Sequence, residues 1–268
     1  MAETGSSSDH AESNRCFQDW LKLQEESQRE LFEALDAVQS RVNSDPQETE
    51  RQLINLIDKN IERFQDYIDR RTHLAKKDVS AYFAPVWCTA RETSLLWIAG
   101  CRPSLFIRLA YSLTSLDLET RLLQFRQRMK SVDELGDLSP QQMEQLENLQ
   151  KRTIKEEERL TSELARLQEE IADQTVVGIA MRSVREQEIS EELERALEKQ
   201  DGEMLRILEE ADKLRIRTLI ELTEILRPLQ TVTLLAFSKK LHLCVREWGK
   251  GSDRRHGRMG ICPNQTTA

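Results

Sequence analysis

With 268 residues, 32% charged, 38% hydrophobic, and only 9 Gly and 6 Pro, the sequence favours long helices over strands, in one large or two small domains. A formal net charge of -8 disfavours direct binding to nucleic acid, which needs a clustered basic face. The five cysteines (Cys16, Cys88, Cys101, Cys244, Cys262) are odd in number and lack a C-x-x-C pair, which argues against a disulfide framework or a zinc site.

Residues 1–12 are polar, lack an apolar period and are expected to form a disordered leader. They contain no signal-peptide apolar region, and no later run has membrane-spanning length, so a soluble protein of the nucleus and cytoplasm is expected. From Ser13, Phe17, Trp20, Leu21, Leu31, Leu35 and Val38 recur at helical spacing and predict an amphipathic helix to about Val42. Asp45, Pro46 and Glu48 form a helix-start signal for a second long helix, with Leu53, Ile57, Ile61, Phe64, Ile68 and Leu74 on its apolar face.

A short aromatic passage, Asp78 to Pro85, precedes a capping box of Thr89 and Glu92, which predicts a helix ending at Gly100. Gly100 suits the left-handed residue that ends a helix, and Pro103 suits the first turn of the next. The stretch 97–109 therefore reads as a tight helix-turn-helix elbow. Trp97, Leu105, Phe106 and Leu109 face a common core, and Arg102 and Arg108 seek water or acidic partners. A structural elbow is the first reading, and a ligand-lined corner the second.

Further helices are expected around Leu122, Phe125 and Met129, then from a Ser139-Pro140-Gln142 cap through Met143, Leu146, Leu149, Ile154, Leu160, Leu164, Leu167 and Ile171. The β-branched passage Thr175 to Ser183 reads as a loop packed on the core. Helix returns from Ile189 to Leu226, with Gly202 inside it as a kink or close-packing point. After Pro228 a last helix carries Val232, Leu235, Leu241, Val245 and Trp248 on its apolar face and ends at Gly249. The tail from there sets Lys250, Arg254, Arg255, His256 and Arg258 against a single acid, Asp253. It is expected to be disordered, and an acidic partner or a nuclear import receptor would suit it if it binds.

The fold class is thus all-α, a bundle of long amphipathic helices, with an ordered domain over 13–249 and a basic tail over 250–268. The usual catalytic motifs are missing: there is no H-E-x-x-H, G-x-S-x-G, Walker loop or G-x-G-x-x-G. His242 and Cys244 lie two residues apart and so point about 200° away from each other on a helix, too far for a nucleophile-base pair. A non-enzymatic protein is expected.

Several segments carry a family resemblance: Cys16-Phe17-Gln18-Asp19-Trp20-Leu21, Tyr82-Phe83-Ala84-Pro85-Val86-Trp87, Trp97 through Ser104, Asp212-Lys213-Leu214-Arg215, and Lys239-Lys240-Leu241-His242-Leu243. Together they resemble the plant delay-of-germination family over about residues 13–249. The elbow markers Trp97, Gly100, Arg102, Pro103 and Ser104 are the most specific part. The same domain is similar to the C-terminal half of TGA-type bZIP transcription factors, but no basic region or zipper precedes it here, so the bZIP mode of reading DNA is not expected.

The resemblance implies a regulator of seed dormancy, germination and abscisic acid signalling that acts through protein contacts with clade A type 2C protein phosphatases. The residues matching the contact segment are Phe17, Asp19 and Trp20. An aromatic and a Trp three residues apart share a helix face and would serve equally as a partner anchor or as core. The family is also associated with haem through two histidines four residues apart on the last helix. His242 matches the first, and Arg246 stands at the second, so a two-histidine site is not complete. A transcription-associated role, through DNA or transcription-factor partners, and a haem or lipid sensor are the alternatives. Homo-oligomerisation stays open.

Overall fold

The computed structural model describes residues 3–40, 45–114, 138–170, 177–178 and 191–258. Among these residues the chain forms eight helices and no strand: α1 (Glu3–Ser40), α2 (Pro46–Ala75), α3 (Ser80–Phe83), α4 (Ala90–Ser94), α5 (Ser104–Thr114), α6 (Pro140–Glu169), α7 (Glu191–Ile225) and α8 (Pro228–Arg255). The expected helix around Leu122, Phe125 and Met129 lies outside the described residues, as does nearly all of the expected loop at 175–183.

The spine of the bundle is α7, because its side chains enter all four apolar clusters of the core. Leu208 joins Phe17, Trp20, Leu74 and Tyr82. Leu219 joins Leu31, Leu35, Ile57 and Val232. Leu222 and Leu226 pack with Ile107, Leu146 and Leu234, and Ile207, Ala211 and Leu214 with Ile98 and Leu160. Around this spine α1 lies on α8 and α2, α6 lies along α7, and α8 also carries α4 and α5. Each fully buried Leu here stabilises the fold by about 1.5–3 kcal/mol relative to leaving it exposed.

The helix starts follow the capping chemistry. Asp45 Oδ1 accepts from the Gln47 amide at 3.1 Å, with Pro46 at the first helical position. Ser139 and Gln142 exchange their two capping bonds, at 3.0 and 3.1 Å. The Gln142 amide also donates to the Ile225 carbonyl at 2.9 Å and to Gln230 Oε1 at 3.0 Å. One capping residue thus ties the start of α6 to the corner between α7 and α8.

Several expectations are corrected. Helix α1 begins at Glu3 rather than Ser13, so most of the expected disordered leader is helical. A Lys77–Glu12 ion pair at 2.8 Å and the Tyr82 hydroxyl, which donates to Ser13 at 3.0 Å, meet its early turns. Helix α8 runs six residues past Gly249, to Arg255. Gly249 is required there for close approach, since a Cβ would sit 2.1 Å from Thr89 Oγ1. The left-handed stop is Gly257, at φ 64°.

Gly202 is not a packing point, because a Cβ there would meet nothing within 4 Å, and α7 continues through it. Leu105, Met143, Ile154, Leu241 and Trp248 are solvent-exposed rather than core, with Trp248 at 62%. No helix among the described residues is long and apolar enough to cross a membrane.

Candidate functional site

The elbow is built differently from its expected form. The capping box does form, with Thr89 and Glu92 exchanging bonds at 2.7 and 3.2 Å, but the helix it opens stops after Ser94. The chain then makes a two-residue hairpin: the Trp97 amide donates to the Gly100 carbonyl at 2.8 Å, and the Gly100 amide to the Trp97 carbonyl at 3.1 Å. The left-handed residues are Ile98 (φ 43°) and Ala99 (φ 55°), not Gly100. Primed hairpin turns normally recruit Asn-Gly, and a left-handed L-residue costs about 1–2 kcal/mol.

Two buried arginines hold this unfavourable turn. Arg215 donates to the carbonyls of Trp97 (2.6 Å), Ile98 (2.9 Å) and Cys101 (2.7 Å). Arg71 donates to the Ala99 carbonyl at 2.8 Å. Asp212 lies between the two guanidiniums, paired with Arg71 and with Arg215 at 2.6 Å. Burial disfavours the charge on Arg71, but Asp212, with Tyr67 adding to it, outweighs this and raises its pKa above the ordinary value. Gly100 is therefore fixed by space rather than by dihedral angle, since a Cβ would lie 2.8 Å from the Arg215 guanidinium carbon.

The second half of the elbow rests on Glu157 of α6, which is 1% exposed. Its carboxylate accepts from the Ser104 amide at 2.7 Å and the Ser104 hydroxyl at 3.0 Å, at the start of α5. Negative charge at a helix N-terminus is favourable. Arg102 pairs with the same carboxylate at 3.0 Å and covers the Trp97 ring. Trp97 donates its indole N–H to Thr161 at 2.9 Å. Trp97, Gly100, Arg102, Pro103 and Ser104 thus converge on a junction of α2, α6 and α7.

The N-terminal candidates separate. Phe17 and Trp20 are buried, whereas Asp19 is exposed and lies 3.6 Å from Lys22. Trp20 stacks on Tyr67 with ring centroids 4.3 Å apart and on Phe64 at 5.7 Å. Phe17 lies under the Arg246 guanidinium, 5.2 Å from ring centroid to charge.

Beside Trp20 lies Lys239, the first residue of the Lys239-to-Leu243 segment and a buried amine. Its nearest partner is Gln24 Oε1 at 3.4 Å, and the Gln24 amide nitrogen has no hydrogen-bond partner. Burial lowers the Lys239 pKa to about 8, the nearby Arg63 charge adds to this, and Glu30 opposes it. An unfolded lysine keeps its proton up to about 10.4, so the unfolded state binds more protons between those values and stability rises with pH across that window. Lys239→Met is expected to raise stability at pH 7 by about 1–3 kcal/mol and to abolish that part of the rise. Urea unfolding of both proteins from pH 7 to 10 checks it.

His242 is half-buried on α8, and burial lowers its pKa from 6.5. Arg246 takes the place of a second histidine and is committed elsewhere, to Glu92 Oε1 and Oε2 at 3.1 and 2.9 Å. His242 therefore has no second donor at the family spacing, and these residues do not fit a two-histidine haem site. No group of three or more His, Cys, Asp or Glu among the described residues is arranged to hold a metal ion.

These features define a class: an all-helical domain whose central hairpin is clamped by a buried Arg-Asp-Arg network. Residues 30–112 match the family model described as DOG1, seed dormancy control. Over 259 residues the chain is 34% identical to Protein DOG1-like 1 of Arabidopsis thaliana, covering 90% of this chain and 89% of the relative. Protein RESPONSE TO ABA AND SALT 1 of the same plant is 27% identical over 65% of the chain and 68% of its own length. Transcription factor TGA2.3 of Oryza sativa subsp. japonica is 26% identical over 81% of the chain and 57% of its own length. The chain belongs to the DOG1 seed dormancy control family and shares its domain with TGA transcription factors.

Proposed function

We propose that this protein is a non-enzymatic regulator of seed dormancy and abscisic acid responses, active in nucleus and cytoplasm, that works by docking clade A type 2C protein phosphatases. The observation that carries the reading is membership of the family, together with a relative named for its response to abscisic acid and salt. On the closed bundle the contact uses the outward face of α1 around Asp19, while Phe17 and Trp20 anchor that helix from beneath.

The test is capture of type 2C phosphatases by the full chain and by Asp19→Lys, a surface change that leaves the core intact. Capture by the wild type, weakened in the variant at unchanged thermal midpoint, supports the reading. No capture by either protein removes it. The match to TGA2.3 favours a second reading, in which the domain meets transcription-factor partners; a gel shift that weakens with salt would instead indicate direct DNA contact.

A further inference from the structure

The exposed Trp248 lies on a face of α8 that the core does not use. With Glu247, Gly251 and Arg255 of α8 and Arg91 of α4, it lines a groove of about 330 Å³. Gly251 leaves the floor open, since a Cβ there would meet nothing within 4 Å. Leu241, two turns earlier on the same helix face and 51% exposed, extends the apolar stripe.

The groove is framed by rigid contacts. The Ala90 amide donates to Asp253 at 3.2 Å, Arg246 pairs with Glu92, and Gly249 abuts Thr89, so α4 is fixed on α8. A preformed groove spares a ligand much of the ordering cost of association. Its charge is opposite to that of the whole chain. Its lining sets Arg91 and Arg255 against Glu247 in a protein of net charge -8. Glu247 is already paired with Lys250 at 2.7 Å, while Arg91 and Arg255 have no acidic partner among the described residues.

We propose that this groove docks an acidic peptide segment of another protein, with carboxylates on Arg91 and Arg255 and one apolar side chain seated on Trp248 above Gly251. Arginine forks recognise carboxylates in bidentate geometry, and an exposed Trp in a depression is a typical energetic anchor. Residues 250–255 of the tail expected to be disordered continue α8, and Gly251 and Arg255 among them line this groove.

The experiment uses the full chain and a fluorescein-labelled peptide of alternating Glu and Leu, with a Lys-for-Glu counterpart, read by fluorescence anisotropy. The acidic peptide is expected to bind, less tightly as salt rises, and the basic one not to bind. Arg91→Glu combined with Arg255→Glu is expected to weaken binding about tenfold or more, as are Trp248→Ala and the groove-filling Gly251→Leu, all at unchanged thermal midpoint. Equal binding of both peptides, or affinity unmoved by these variants, overturns the proposal. So does capture of duplex DNA or anionic vesicles with the same variant dependence while the acidic peptide fails to bind.

Discussion

Asp212→Ala is expected to cost about 3–5 kcal/mol of folding stability, and Asp212→Asn nearly as much. The reason is what it leaves behind. Arg71 and Arg215 are each nearly inaccessible to water, and Asp212 is the shared counter-charge of both. Removing it strands two cations in the interior and frees the guanidiniums from the geometry that grips the hairpin carbonyls. Ile98 and Ala99 would then relax from their left-handed conformation, and the packing of Ile98 against Leu160 and Leu214 would loosen. For a domain whose total stability is about 5–15 kcal/mol, such a loss is a large fraction of the whole. Urea unfolding of wild type and both variants measures it. A change below about 1 kcal/mol in Asp212→Ala would show that the network does not hold the fold.

How this network could be read from sequence depends on register. The apolar period of α2 runs through Phe64, Tyr67, Ile68 and Leu74, and Arg71 falls on the same stripe. In α6 Glu157 sits between Thr153 and Leu160, and in α7 Asp212 and Arg215 sit between Leu208 and Leu219. A charged residue at a core position was therefore visible in each helix. What sequence did not show is which of them meet, because Arg71 and Asp212 are 141 residues apart and the pairing exists only once α2 and α7 are packed.

The helix starts were legible because capping is local: Asp45, Thr89 and Ser139 each act within three residues of their own position. Helix ends were less so, because glycine has two uses. Gly100 and Gly249 look like stop signals, yet both are required by a neighbour, Arg215 in one case and Thr89 in the other. The period of α8 places Trp248 with the core, but α4 packs on α8 through Arg246, Gly249 and Asp253, and Trp248 lies off that line and stays exposed.

Trp20→Ala is expected to destabilise the protein by about 3–5 kcal/mol, the range for deleting a large aromatic from a packed core. Its ring lies between Tyr67, Phe64 and the ammonium of Lys239, at the meeting of α1, α2 and α8. The void would loosen α1, and the buried amine of Lys239 would lose its cation–π contact with the indole. Trp20→Phe keeps an aromatic on Tyr67 and is expected to cost markedly less. These values bear on any test of partner binding, since lost phosphatase capture in Trp20→Ala is what an unfolded α1 would also produce. Denaturation curves measured alongside capture separate the two causes. If Trp20→Phe restores stability but not capture, the indole itself reaches the partner and α1 must leave the bundle to bind; if it restores both, Trp20 only positions the helix that carries Asp19.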